Sequence, residues 1–372
     1  MFFVLAIILL ILMVFVCMYL FSQFQAFNLV KTLSKGDRKK SRLLAAIPFI
    51  FIIIFGFISP VNTIVVVLHL FIFWLVFDLV FFVKSKLNPG SKNSERSDHQ
   101  RYYAGNAALI FTAIYLLIGV YNNYNVRETH YTVTTEKDLG AEKLRVVQIS
   151  DSHLGTTFDG NGFAALLKQI QLTDPDIVVI TGDYVDDGTK RDDMLLATKA
   201  LGELKSTYGT YFIFGNHDKG YFNSRDFSST DLINELEKNG IRVLEDDSIL
   251  IDNRFYLIGR ADKSNPLRKS ARDMMSGLDK SKFSLVLDHQ PNDYDNEAEA
   301  NMDLVLSGHT HGGQLFPIGY IGLAIGANDR TYGREIRNGT QFIVNSGISD
   351  WELIFKTFTF SEYAVIDIKN AP

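Results

Sequence analysis

The sequence predicts two unlike parts: four membrane-crossing helices, then one α/β domain. Three observations carry this. Apolar stretches long enough to cross a bilayer fill the chain to about residue 121. Basic residues fall between them in a register that a single topology explains. Beyond about residue 135, short apolar runs alternate with amphipathic ones, as strands alternate with helices.

The first apolar run covers residues 1–22. It starts without Lys or Arg and is followed by no small-residue cleavage site, so it reads as a retained span. Residues 43–59, 64–83 and 102–121 supply the second, third and fourth spans, the last with tyrosines near both ends. Lys31, Lys35, Arg38, Lys39, Lys40 and Arg42 lie between spans one and two. Lys84, Lys86, Lys92, Arg96 and Arg101 lie between spans three and four. The turn between spans two and three has no basic residue, and only Arg127 follows span four closely. Both basic loops are therefore expected in the cytoplasm, and everything after about residue 122 outside it. Asp78 and His69, both in span three, are nine residues apart and so lie on nearly opposite helix faces. Each is expected to pack toward a neighbouring helix rather than to pair with the other.

Residues 122–140 read as a linker, and 141–372 as the second domain. Strands are expected at 144–149, 177–180, 211–214, 249–251, 255–259, 283–287, 303–306, 341–344 and 357–367. Helices are expected at 163–170, 194–204, 232–238 and near 266–276. Pro317–Gly326 reads as the largest loop with apolar content. The net charge of −5 and pI near 5.9 argue against a nucleic-acid binder. The lone cysteine, Cys17, excludes intrachain disulfides and multi-thiolate zinc sites. It also leaves the second domain without a cysteine nucleophile.

Five polar motifs follow expected strands. They are Asp151-Ser152-His153, Gly182-Asp183, Gly215-Asn216-His217-Asp218, Asp288-His289-Gln290-Pro291 and Gly308-His309-Thr310-His311-Gly312-Gly313. Every histidine beyond residue 130 falls in one of them. Random placement would scatter some onto helices and surface loops. Strand ends are where α/β proteins place their chemistry. Carboxylate, imidazole and amide oxygen together suit Mn, Fe or Zn better than Ca or Mg alone. A carboxylate bridges two cations well. Two such ions, about 3.5–4 Å apart, acidify a water and hold phosphate oxygens for in-line displacement.

With these blocks in this order, the sequence resembles the calcineurin-like metallophosphoesterases, whose blocks are D-x-H, G-D, G-N-H-[DE], H and G-H-x-H. The longer stretches Asp151–Gly155 and Gly308–Gln314 resemble the membrane-tethered bacterial branch, which also includes an animal transmembrane protein with a metallophosphoesterase domain. The resemblance implies two mixed β-sheets sandwiched by helices, with two divalent metal ions at the strand ends. By the same resemblance, Asp151, His153 and His311 would hold one ion. Asn216, His289 and His309 would hold the other, and Asp183 would bridge them. His217 would protonate the leaving oxygen, with Asp218 orienting its ring. A hydroxide between the ions would attack the phosphorus.

These blocks specify phosphoester or phosphoanhydride hydrolysis and not the substrate. Two features favour a lipid-linked phosphate. About twenty residues separate the fourth span from the domain. The apolar run Leu315–Ile325 directly follows the metal histidines and offers a lip for acyl chains. Arg225, Arg260, Lys263 and Arg268 are candidate phosphate contacts. Relatives in the branch are linked to UDP-diacylglucosamine hydrolysis in lipid A synthesis, which is cytoplasmic chemistry, whereas the basic loops put this domain outside. An envelope phospholipid, an isoprenoid pyrophosphate or a phosphodiester polymer fits that side better. Two alternatives stand beside this reading. One is a general phosphodiesterase acting on small soluble esters. The other is a membrane sensor or transporter accessory in which the phosphoesterase domain is secondary, since four spans exceed what an anchor needs.

Overall fold

A computed structural model describes residues 2–87, 94–222 and 224–371. Lys92 lies outside the described residues, as do the side chains of Arg96 and Arg101. The chain divides into two compact units, Met1–Ile118 and Gly119–Pro372.

The first unit is helical: α1 (Phe2–Gln25), α2 (Asn28–Ser34), α3 (Arg38–Ile58), α4 (Pro60–Leu87) and most of α5 (Ser94–Tyr124). Among the described residues, Arg38–Ile58, Pro60–Leu87 and Tyr103–Tyr124 are long and apolar enough to cross a membrane. The first expected span, residues 1–22, meets the same test only as a bent pair, with Ile11–Gln25 meeting α2 at 66°. Asp37 caps α3 by accepting from Lys39 N and Lys40 N. Val16, Leu20, Val67, Trp74 and Ala108 form the inner core, while Phe51, Phe57, Ile58 and Leu79 stay exposed. A bundle that turns such side chains outward is built for an apolar solvent. Two of its ionisable side chains find partners inside. Asp78 accepts from Tyr19 Oη (2.6 Å) and Gln23 Nε2 (2.8 Å) of α1. His69 Nδ1 lies 2.8 Å from Val65 O, and its ring lies 5.5 Å from that of Tyr115. Asp78 and His69 thus pack toward neighbouring helices.

The second unit begins with the last turn of α5 and continues through β1 (Arg127–Thr135), β2 (Lys143–Ile149), α6 (Gly160–Ile170), β3 (Ile177–Thr181), α7 (Arg191–Gly202), β4 (Thr210–Ile213), α8 (Ser229–Lys238) and β5 (Ile241–Leu244). Next come β6 (Asp247–Ile251), β7 (Phe255–Gly259), α9 (Ala271–Met275), β8 (Phe283–Leu287), α10 (Tyr294–Glu299) and β9 (Leu304–Ser307). The unit ends with α11 (Ile318–Ala324), β10 (Gly333–Arg337), β11 (Thr340–Val344) and β12 (Glu362–Asn370). Two six-stranded sheets result, ordered β1-β12-β2-β3-β4-β5 and β10-β11-β9-β8-β7-β6. Strands β2 to β5 are parallel, as are β7, β8, β9 and β11. Antiparallel pairing of β12 with β2, β6 with β7 and β10 with β11 makes both sheets mixed.

The period of two along each strand builds the layers. Val146, Val179, Leu285 and Leu306 point between the sheets. Val147 and Val178 face the helices α6, α7 and α8 on one side, and Val286 and Val305 face α9 and α10 on the other. Central strands buried on both faces read as continuous apolar runs, which made them visible in the sequence. The order of layers is α-β-β-α.

Four expectations need correcting. The linker at 122–140 holds β1, which pairs in parallel with β12 in register Arg127↔Glu362 to Thr135↔Asn370. Its composition is polar because it is a half-exposed edge strand. The strand expected at 357–367 starts only at Glu362, since residues before it are tied to other loops: Lys356 N donates to Gly119 O and Thr357 N to Gln314 O. The helix expected near 266–276 shrinks to Ala271–Met275. Pro317–Gly326, expected as a loop, contains α11.

Candidate metal centre

Strands β2, β3, β4, β8 and β9 each end in one of the polar motifs, so five loops converge on the same edge of the two sheets. They are stitched by backbone bonds: Asp151 N donates to Gly182 O, His153 N to Asp183 O and Gly308 N to His289 O. Glycine is required where the loops stack. A Cβ at Gly308 would strike Ser150 and Asp151, and one at Gly215 would strike Asp183. Asp151, His153, Asp183, His309 and His311 all adopt positive φ, between 36° and 70°. That backbone costs about 1–3 kcal/mol at each such position and persists where a site over-determines it.

The side chains gather into two clusters. Donor atoms of Asp151, His153 and His311 all lie within 4.8 Å of one another, and so do those of Asp183, His289 and His309. Asp183 joins them: its Oδ2 is 3.6 Å from His153 Nε2 and 3.2 Å from His289 Nε2. Its Oδ1 accepts from His217 N at 2.9 Å, which fixes the carboxylate between the clusters. Asn216 Oδ1 lies 3.2 Å from His289 Nε2 and belongs with the second cluster.

The protonation pattern suits cations. His289 Nδ1 faces Thr181 O at 2.8 Å, and a carbonyl can only accept. In the neutral ring that hydrogen bond puts the proton on Nδ1 and leaves Nε2 to offer a lone pair; with no cation there, burial pushes the ring's pKa down but Asp183 outweighs it and holds it well above the usual range. Burial first, then the neighbouring imidazoles, pushes His309 and His311 down to about 3, so both are neutral at physiological pH. Burial pushes the Asp183 carboxyl up, but His289, His153 and His217 outweigh it and hold it well below the usual carboxylate range. His153 Nε2 is buried with no hydrogen-bond partner, an arrangement that costs stability unless a cation takes the lone pair. The donor set therefore fits two divalent ions.

The pattern of calcineurin-like phosphoesterases matches residues 144–313. A metallophosphoesterase of Aquifex aeolicus is 32% identical over 269 residues, which are 69% of this chain and 98% of that protein. The chain belongs to the calcineurin-like metallophosphoesterases. A Campylobacter jejuni metallophosphoesterase is 30% identical over 270 residues, 71% of this chain and 69% of the relative. A Danio rerio transmembrane protein with metallophosphoesterase domain is 31% identical over 232 residues, 57% of this chain and 50% of the relative.

In this metallophosphoesterase the seven expected ligands lie together, and His217 lies beside them. Its half-buried ring is 5.1 Å from that of His153, and it is flanked by Tyr221 (5.0 Å) and Trp351 (5.3 Å). Burial pushes the His217 imidazole down, with Asp183 opposing.

Five other residues do something different from what was expected. Asp218 does not orient His217. Its carboxylate accepts from the backbone N–H of Asp183, Tyr184, Val185 and Gly215, at 2.7–3.0 Å. It clamps the β3 and β4 loops together and holds Asp183 in place. Arg260 is buried among Asp288, Asp293 and Glu297 at 2.7–2.9 Å, so it braces the loop carrying His289 instead of contacting phosphate. Arg268 pairs with the same Asp288. Arg225 donates to Asp218 O at 3.0 Å and lies 4.7 Å over the Phe227 ring, again a brace. Lys263 lines a cavity with Arg260 and Arg268, and none of the cluster residues lines it.

Sequence reasoning missed two carboxylates. Asp186 Oδ2 lies 3.3 Å from His153 Nδ1, and Asp350 Oδ1 lies 3.2 Å from His311 Nδ1. The first was findable, three residues beyond Asp183 in the same strand-end loop. The second follows β11 by six residues, and its signal was the polar run Asn345-Ser346-Gly347 at a strand end with no other role.

Proposed function

We propose that this chain is a membrane-embedded phosphohydrolase that cleaves a phosphoester or pyrophosphate bond at a two-metal centre, with His217 as the general acid. The single observation that carries this is Asp183 Oδ2, placed between two imidazole clusters at 3.6 and 3.2 Å. Two divalent ions, Mn, Fe or Zn, would be held by Asp151, His153 and His311 and by Asn216, His289 and His309, with Asp183 shared. Bound there, they would supply an acidified water and charge neutralisation of the phosphate oxygens. The chain's own residues do the rest. Asp218 and Arg225 hold the β3 and β4 loops so that Asp183 and His217 keep their places. Tyr221 and Trp351 confine the His217 ring from two sides. An anionic phosphate beside that ring favours its protonated form and opposes the effect of burial. The imidazolium then gives its proton to the departing oxygen.

The substrate we infer is lipid-linked. The apolar helices of the first unit and the transmembrane name of the Danio rerio relative support a membrane setting. The basic residues flanking α2, α3 and α4 support an extracytoplasmic catalytic unit in a bacterial cell membrane. The test uses the full chain in phosphatidylcholine nanodiscs. Chelator-stripped protein should regain hydrolysis of bis(p-nitrophenyl) phosphate with Mn, Fe or Zn and hold two ions per chain by mass spectrometry. Failure with every metal tried would overturn the reading.

A further inference from the structure

The segment Leu315–Ala327 follows the metal histidines and contains no charged residue. It is not core. Phe316 is 55% exposed, Ile318 52%, Ile321 51% and Ile325 73%. In water, an uncharged patch of this kind is a liability unless something covers it.

Its surroundings identify the cover. The rings of Phe316 and Tyr320 rest on Phe358, at 6.1 and 5.1 Å. Thr357 N and Phe358 N donate to Gln314 O at 2.9 and 3.2 Å. The residue before them, Lys356, donates its N–H to Gly119 O at 3.0 Å, in the last turns of the span Tyr103–Tyr124. One strip of three residues therefore grips the end of the membrane helix on one side and the apolar segment on the other. Three residues reach about 10 Å at most. The patch thus lies close to the C-terminal turns of the helix Tyr103–Tyr124, within the second unit. The patch also reaches the catalytic mouth. Gln314 Nε2 donates to Trp351 O at 3.3 Å, and the half-exposed Trp351 ring lies 5.3 Å from His217. Aromatic and aliphatic side chains without charge, next to the end of a span, are suited to the interface between headgroups and acyl chains.

We propose that α11, with Phe316 and Trp351, is a docking surface for the interfacial layer of a lipid bilayer, and that it presents lipid-borne phosphoesters to the His217 side of the metal centre. The presentation rests on the phosphoesterase reading; the docking does not.

The experiment places a nitroxide on the full chain in phosphatidylcholine nanodiscs, with Cys17→Ser and Ile321→Cys. The reference label is Leu172→Cys, at a residue 85% exposed beside α6. At Ile321 the label should collide more with oxygen than with a water-soluble nickel chelate, and at Leu172 the order should reverse. Nickel dominating at both positions overturns the docking. Low collision with either reagent, with dipolar broadening of the spectrum, means that a second copy covers the patch and also overturns it.

A paired assay separates docking from chemistry. The double variant Ile321→Asp, Ile325→Asp should hydrolyse a fluorescent phospholipid ester embedded in the disc about tenfold more slowly, a change equivalent to about 1.4 kcal/mol. Its rate on bis(p-nitrophenyl) phosphate should not change. An equal loss on both substrates overturns the presentation. A wild-type chain that hydrolyses neither overturns the phosphoesterase reading and the presentation with it, while the nitroxide result still decides the docking.

Discussion

The two ligand clusters use the same kinds of residue but are braced differently. Behind His153 and His311 stand carboxylates, Asp186 at 3.3 Å and Asp350 at 3.2 Å. Behind His289 stands a neutral carbonyl, Thr181 O, at 2.8 Å. The second cluster also draws one donor from an uncharged amide, Asn216, where the first uses Asp151. A carboxylate behind an imidazole raises its basicity and fixes its orientation. In the proposed centre the first cluster would thus hold its cation firmly, and the second would hold one more loosely. Asp183, which faces both, is the only charge that the second cluster shares with the first among the described residues.

The largest effect should come from removing that shared charge. Asp183→Ala takes the one carboxylate from the second cluster and the bridge from both. Turnover should fall by about a thousandfold, the upper end of the loss seen when a preorganised electrostatic group is removed. Metal content should fall to one ion per chain or fewer, read by mass spectrometry after desalting. A variant that kept two ions would break the comparison, because Asn216, His289 and His309 would then suffice alone.

His217→Ala should act on rate and leave metal content alone. Its ring packs beside the clusters, between Tyr221 and Trp351, and braces no ligand. Loss of a general acid costs about a hundredfold to ten-thousandfold. The loss should be smallest on an aryl ester, whose leaving group needs little help from a proton, and largest on an alkyl ester. Equal losses on both esters would remove His217 from proton transfer and leave it a positioning role.

Much of this was legible in the sequence, and the exceptions have physical causes. Strands such as Phe283–Leu287 are buried on both faces and read as apolar runs. The five strand-end motifs betrayed themselves because histidine is otherwise rare in this unit. Edge strand β1 was missed because one of its faces meets solvent, so Arg127–Thr135 carries the polar residues of a linker. The arginines misled for a related reason. Sequence shows that Arg260 is a cation, but not that Asp288, Asp293 and Glu297 surround it on neighbouring turns. Asp218 misled because adjacency to His217 suggested a hydrogen bond. A loop reversal instead turns its carboxylate to four backbone amides.

The finest test of the comparison lies in the braces. Asp186→Asn and Asp350→Asn keep shape and remove charge. Each should weaken metal binding at the first cluster by about tenfold to a hundredfold, and neither should change the second. The two should not be equal. Asp350 shares its environment with Lys356, whose buried ammonium lies 3.8 Å away and also donates to the carbonyls of Ser346, Gly347 and Ser349. Part of the Asp350 charge is spent on that cation, and burial pushes its carboxyl up to about 7. Among the described residues Asp186 pairs with no Lys or Arg; burial pushes it up, but His153 outweighs that and leaves it below the usual range. Asp186→Asn should therefore be the more damaging of the two. Competition titrations against a fluorescent chelator, run on the full chain, resolve two steps when the clusters differ. The tighter step should move in both variants, further for Asp186→Asn, while the weaker step stays in place. If the weaker step moved instead, the carboxylate braces would not set the difference between the two halves of the centre.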